Sequence, residues 1–160
     1  MAHSAEYLPN DRIVVALSTA EGGNRIELYD IKKPEVVLFS DSLFSGHGVV
    51  WISETEKLYA LGYNELRSYS LKDWKSDKPE LQFLKKWILP DNGGHDLSSA
   101  SDTELIITTT KGVWVFNTGK EQFSPFELLK DVENVKSVNF NETKNELVFT
   151  KGEISWWTHN

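Results

Sequence analysis

The 160-residue sequence has no cysteine, which excludes disulfides and thiolate metal sites. It is also short of positive charge. Lys and Arg total 17 against 24 Asp and Glu, a net charge of −7, and no basic cluster breaks the pattern. Affinity for a phosphate backbone comes from such clusters, so nucleic acid is not an expected partner. Nowhere do about 18 apolar residues run together, so no membrane-spanning helix and no membrane partner are expected. The opening Met1-Ala2-His3-Ser4-Ala5-Glu6 has neither the basic nor the apolar region of a signal peptide. No sustained 3.6-residue period appears, and no phosphate-cradling glycine fingerprint, nucleophile elbow, zincin helix or EF-hand loop is present.

What the sequence does have is a repeat. Aromatics make up 12% of the residues and hydrophobics 39%, a composition that favours strands and interlayer cores. Four segments share one layout. Each opens on a short strand that starts with a polar residue: His3-Ser-Ala-Glu-Tyr, His47-Gly-Val-Val-Trp, His95-Asp-Leu-Ser-Ser and Lys136-Ser-Val-Asn-Phe. These opening residues lie 44, 48 and 41 residues apart, close to one four-stranded propeller blade. A second apolar run follows at Ile13–Leu17, Leu58–Leu61, Leu105–Thr109 and Leu147–Thr150. A third places an aliphatic residue three positions before an aromatic, at Ile26/Tyr29, Leu66/Tyr69, Val113/Phe116 and Ile154/Trp157. A fourth appears at Val36–Phe39, at Leu81–Leu84 and, weakly, at Phe126–Leu129. Turn residues such as Pro9-Asn10-Asp11 and Asp91-Asn92-Gly93-Gly94 separate the runs.

The expectation is an all-β chain of β-propeller blades, three complete four-stranded ones plus an incomplete fourth, in a single segment over 1–160. The blades fall at about 3–42, 46–90, 94–130 and 134–160. Four blades with one short of a strand do not close a ring, and an open ring exposes apolar faces and a strand edge. Self-association or further upstream blades are therefore expected as partners.

The series His3-Ser-Ala-Glu6, His47-Gly-Val-Val-Trp51, Gly94-His-Asp-Leu97, Val135-Lys-Ser-Val138 and Trp156-Trp-Thr158 resembles the C-terminal part of a bacterial β-propeller family of unknown function. The resemblance implies a propeller fold and an exported or periplasmic setting, and it carries no reaction.

Inner strands of a propeller line its channel, so the repeat brings His3, His47, His95 and Lys136 towards one mouth. These four and Asp96 are the candidate ligand-binding residues. Three imidazoles so placed, His3, His47 and His95, are also a candidate site for a divalent metal ion. Lys136 and His95 are the candidates for catalysis, Lys136 as a base of lowered pKa or as an anion clamp. Asp96 and Glu6 are expected to orient an imidazole. The turns at Glu21, Asn64, Lys111 and Lys151 should rim the same mouth. A polar residue at the start of an inner strand can equally just bond to its neighbours or to channel water. However, three of the four histidines occupy this one repeat position.

Three functions stay open at this point. One is binding of a small polar or saccharide ligand. Another is a metal-dependent lyase or hydrolase acting on an acidic glycan, and the third is a protein-interaction scaffold.

Overall fold

The structure, a computed structural model, describes residues 2–152. Turns centred on left-handed residues fold the apolar runs into antiparallel hairpins. Asn10 (φ 66°), Asn24 (φ 58°) and Asn145 (φ 52°) take that conformation, which asparagine tolerates better than most residues. The first sheet comprises β1 (Ala2–Leu8), β2 (Arg12–Leu17), β3 (Arg25–Asp30) and β4 (Lys33–Ser42). The second comprises β5 (Gly48–Ile52), β6 (Lys57–Leu61), β7 (Glu65–Lys72) and β8 (Glu80–Ile88). The third comprises β9 (Asp96–Ser101), β10 (Glu104–Thr108), β11 (Val113–Asn117) and β12 (Gln122–Pro125). Two strands of a fourth follow, β13 (Val135–Asn141) and β14 (Glu146–Lys151). Strands within each sheet lie in sequence order, and β1, β5, β9 and β13 lie beside one another in turn. The chain is thus all-β, a β-propeller segment of three four-stranded blades and part of a fourth.

Side chains alternate across a strand, so each blade offers one face to the blade before it and the other to the blade after. Val14 and Ala16 of the first blade pack with Leu58, Ala60 and Tyr69 of the second. Tyr59 and Leu61, from the opposite face of β6, pack with Leu97, Leu105, Ile107 and Phe116 of the third. Ile106 then meets Val135 and Val138 of the fourth. Blades flanked on both sides therefore bury their second strand without interruption (Leu58 to Leu61, and Leu105 to Thr108). In β2 burial alternates instead. Val14 and Ala16 are buried, while Ile13, Val15 and Leu17 are only half-buried.

Two strand expectations change. In the third blade the outer strand is Gln122–Pro125, ahead of the expected Phe126–Leu129. Phe126 and Leu129 instead form turns, Leu129 N–H bonding to Phe126 O and Val132 N–H to Leu129 O. Their side chains are 8% and 3% exposed because they tuck in against Val135 and Val138. Apolar content here signals packing between blades rather than a ladder. The expected third strand of the last blade, with Ile154, Trp156, Trp157 and Thr158, lies outside the described residues.

Interblade burial makes a stability prediction. Leu105→Ala, at a side chain 0% exposed between two blades, should cost about 2–5 kcal/mol. Val148→Ala, at a side chain 68% exposed, should cost less than about 0.5 kcal/mol. Chemical denaturation of the two variants checks this, and equal losses would contradict the blade assignment.

Candidate functional site

The four strand-opening residues come together through a repeated backbone irregularity. In β1 the register passes from Ala2↔Leu17 to Ser4↔Ala16, which leaves His3 as the extra residue. In β13 it passes from Val135↔Lys151 to Ser137↔Thr150, which leaves Lys136 in the same situation. His47 and His95 sit one residue ahead of β5 and β9. Their N–H groups bond to Leu61 O and Thr108 O, each at 2.9 Å. Leu61 and Thr108 are also the partners of the next residues, Gly48 and Asp96. Bulges of this kind bend a strand and re-aim a side chain, here at the start of β1 and β13.

The result is a row of rings. His3 and His47 have centroids 4.2 Å apart, edge to face, and His47 and His95 have centroids 5.1 Å apart. Lys136 continues the row, near enough that its charge acts on His95. His3 is exposed, and the other three are half-buried. The sequence-predicted set His3, His47, His95 and Lys136 is therefore brought together.

Electrostatics follow from the crowding. Burial, then the charges of Lys136, His47 and His3, push the His95 imidazole down to about 4, although the Lys136 carbonyl favours its charged form. Burial and the neighbouring His47 hold His3 below the usual histidine range. Burial lowers the Lys136 ammonium as well.

His47 is held by residues that sequence reasoning missed. Its Nδ1 lies 2.8 Å from Ser45 O and 3.1 Å from Ser45 Oγ. Because a carbonyl can only accept, Nδ1 carries the proton of the neutral ring and Nε2 keeps its lone pair. Ser45 is fixed in turn at φ 51°, its N–H bonded to Asn24 Oδ1 at 2.9 Å. The one available signal was the Ser45-Gly46 pair directly ahead of His47.

Asp96 and Glu6 do something other than orient an imidazole. Asp96 Oδ2 accepts from Val138 N–H at 2.9 Å, with Leu97 N–H as a further donor, and burial raises its pKa against these bonds. Glu6 accepts from the N–H groups of Trp51 and Tyr7, again raised by burial. Ser4 Oγ accepts from Val49 N–H at 3.2 Å. One geometry thus occurs twice. Ser4, directly after His3, binds the N–H two residues beyond His47, and Asp96, directly after His95, binds the N–H two residues beyond Lys136. At Gly48 close approach replaces the bond, since a Cβ there would stand 2.4 Å from Leu97 Cβ. Carboxylates expected to serve imidazoles therefore fasten neighbouring inner strands, because the N–H groups of those strands face a blade rather than a ladder partner.

The turns between second and third strands lie at this end of the second and third blades, whereas Lys151, expected in such a turn, ends β14 opposite Val135. Tyr63 N–H bonds to Phe44 O and Gly94 N–H to Tyr63 O, while Thr110 N–H bonds to Asn92 O and Asn134 N–H to Thr110 O. Lys111 N–H is held by Asp91 Oδ2 at 2.7 Å.

For the expected metal, the fit is poor. Among the described residues no group of three or more His, Asp or Glu is arranged to hold an ion. His3, His47 and His95 present ring faces and edges to one another.

No family model and no curated protein matches the chain. Among solved structures it is similar to hydrazine synthase from Kuenenia stuttgartiensis, with a TM-score of 0.71 and 10% identity over 96% of this chain. The chain spans 42% of the length of that protein chain. At this identity the likeness shows the fold alone.

His95 gives the pH prediction. Its folded pKa of about 4 lies below the ordinary 6.5, so the unfolded chain binds the proton more tightly. Its contribution to stability is complete above pH 6.5 and is lost as pH falls towards 4. Thermal midpoints of the wild type should fall more steeply across that window than those of His95→Gln. Parallel curves would refute the assignment.

Proposed function

We propose that the row His3–His47–His95–Lys136 binds a small polar ligand, a saccharide in the first instance, at the mouth of the propeller channel. The observation that carries the reading is the three rings, drawn from one repeat position of three blades and set 4.2 and 5.1 Å apart. Structural needs at these positions are met by main-chain bonds and by Ser4 and Asp96. Packing alone asks for no imidazole there. Half-exposed rings with fixed orientation suit recognition, because little rotamer freedom is lost when a ligand arrives. Calorimetric titration with a panel of small saccharides and polar metabolites tests this. His47→Ala should retain the fold and weaken binding about tenfold, equivalent to about 1.4 kcal/mol. Unchanged affinity in both His47→Ala and His95→Ala would refute the site.

A second reading concerns the partner. Ile13, Val15 and Tyr29 of the first blade occupy the positions of Leu58, Ala60 and Tyr69 in the second, as the paired registers show. The latter three are 0% exposed beneath the neighbouring blade, whereas Ile13, Val15 and Tyr29 are half-buried. A face built to this pattern fits another blade, and we infer that a second copy of the chain supplies it. Sedimentation should show a species larger than the monomer that Val15→Asp dissociates. A monomer of full stability at high concentration would overturn the inference.

A further inference from the structure

The ring nitrogens not bonded to a carbonyl define what kind of group the row can meet. At His47 the Nδ1 proton is committed to Ser45 O at 2.8 Å, so a neutral ring offers only the Nε2 lone pair. At His95 the Lys136 carbonyl accepts from the ring, which leaves the other nitrogen of the neutral ring as a lone pair. The same polarity thus repeats on two successive blades. Both rings are half-buried, and Lys136 from β13, His47 and His3 from β1 resist a positive charge on His95. Asp96, the acid adjoining His95, has its carboxylate turned to the N–H groups of Val138 and Leu97.

We propose that the row recognises its ligand by accepting hydrogen bonds from hydroxyl groups, so that the ligand is a neutral polyhydroxylated molecule, a sugar or polyol, met by His47 and His95. This rests on the reading of the row as a binding site and narrows it to one chemistry. A carboxylate would bring an oxygen lone pair against these nitrogen lone pairs, so it would be met by the Lys136 ammonium rather than by His47 and His95. Hydroxyls bring the missing protons themselves. A metal ion also seeks lone pairs, but it needs ligands converging on one point, an arrangement no set of described residues provides.

The two ligand classes call for opposite states of His95: the neutral ring accepts from a hydroxyl, whereas a carboxylate would need a donor. The test uses the full chain labelled with 15N. Long-range imidazole spectra first read the tautomers, and a proton on Nδ1 of His47 is expected. Neutral monosaccharides and their uronate counterparts are then titrated at neutral pH, with zinc in a separate arm. The proposal expects neutral sugars to bind and to shift the non-protonated ring nitrogens of His47 and His95. It also expects His47→Gln, which keeps an outward carbonyl acceptor, to retain more binding than His47→Leu. Uronates binding alone would overturn the hydroxyl proposal while leaving the binding site standing. A His47 proton on Nε2, or zinc as the one probe that shifts the rings, would also overturn it. No response to any probe would remove the binding site and this proposal together.

Discussion

Everything at the channel depends on how closely one inner strand lies beside the next. That separation is set by apolar side chains meeting between blades, such as Val14 and Ala16 against Leu58 and Ala60, and Leu61 against Leu97 and Ile107. It is finished by short polar links at the axis. Ser4 accepts from Val49 N–H, Asp96 accepts from Val138 N–H, and Gly48 lets Leu97 come close. The imidazoles stand 4.2 and 5.1 Å apart because the backbones that carry them have been drawn together.

Close approach has an electrostatic consequence. Four basic side chains crowd one end of the sheets, although the chain as a whole carries a net charge of −7. Charging them together costs more than charging each alone, so burial and mutual repulsion hold His95 and His3 in the neutral form. A neutral imidazole in this row offers a lone pair, which a count of basic residues does not suggest. Local geometry, through Ser45 and the Lys136 carbonyl, decides which nitrogen of His47 and of His95 keeps it.

Much of this was legible in the residues. The spacing of His3, His47, His95 and Lys136 announced the blade repeat, because strand, turn and strand lengths vary little from blade to blade. The convergence of these four side chains followed from the fold. Less legible were features that depend on contacts between blades. Phe126 and Leu129 look like a strand by composition, yet they fill the space against Val135 and Val138, which no local pattern reports. Asp96 and Glu6, close in sequence to His95 and His3, suggest carboxylate–imidazole pairs. Their true partners, Val138 and Trp51, lie on the neighbouring blade and show only once the sheets are docked. Ser45 was missed because its effect comes from a carbonyl and a left-handed turn, and a carbonyl carries no sequence signature.

The central claim is that three imidazoles and an ammonium from four blades share one electrostatic environment. The most direct measurement is the NMR titration midpoint of His95 in the wild type, in His47→Gln and in Lys136→Met. The account predicts an acidic midpoint in the wild type that rises in both variants, more in Lys136→Met, whose charge acts on His95 more strongly. A midpoint near the ordinary histidine value, unmoved by either substitution, would show that these side chains do not meet.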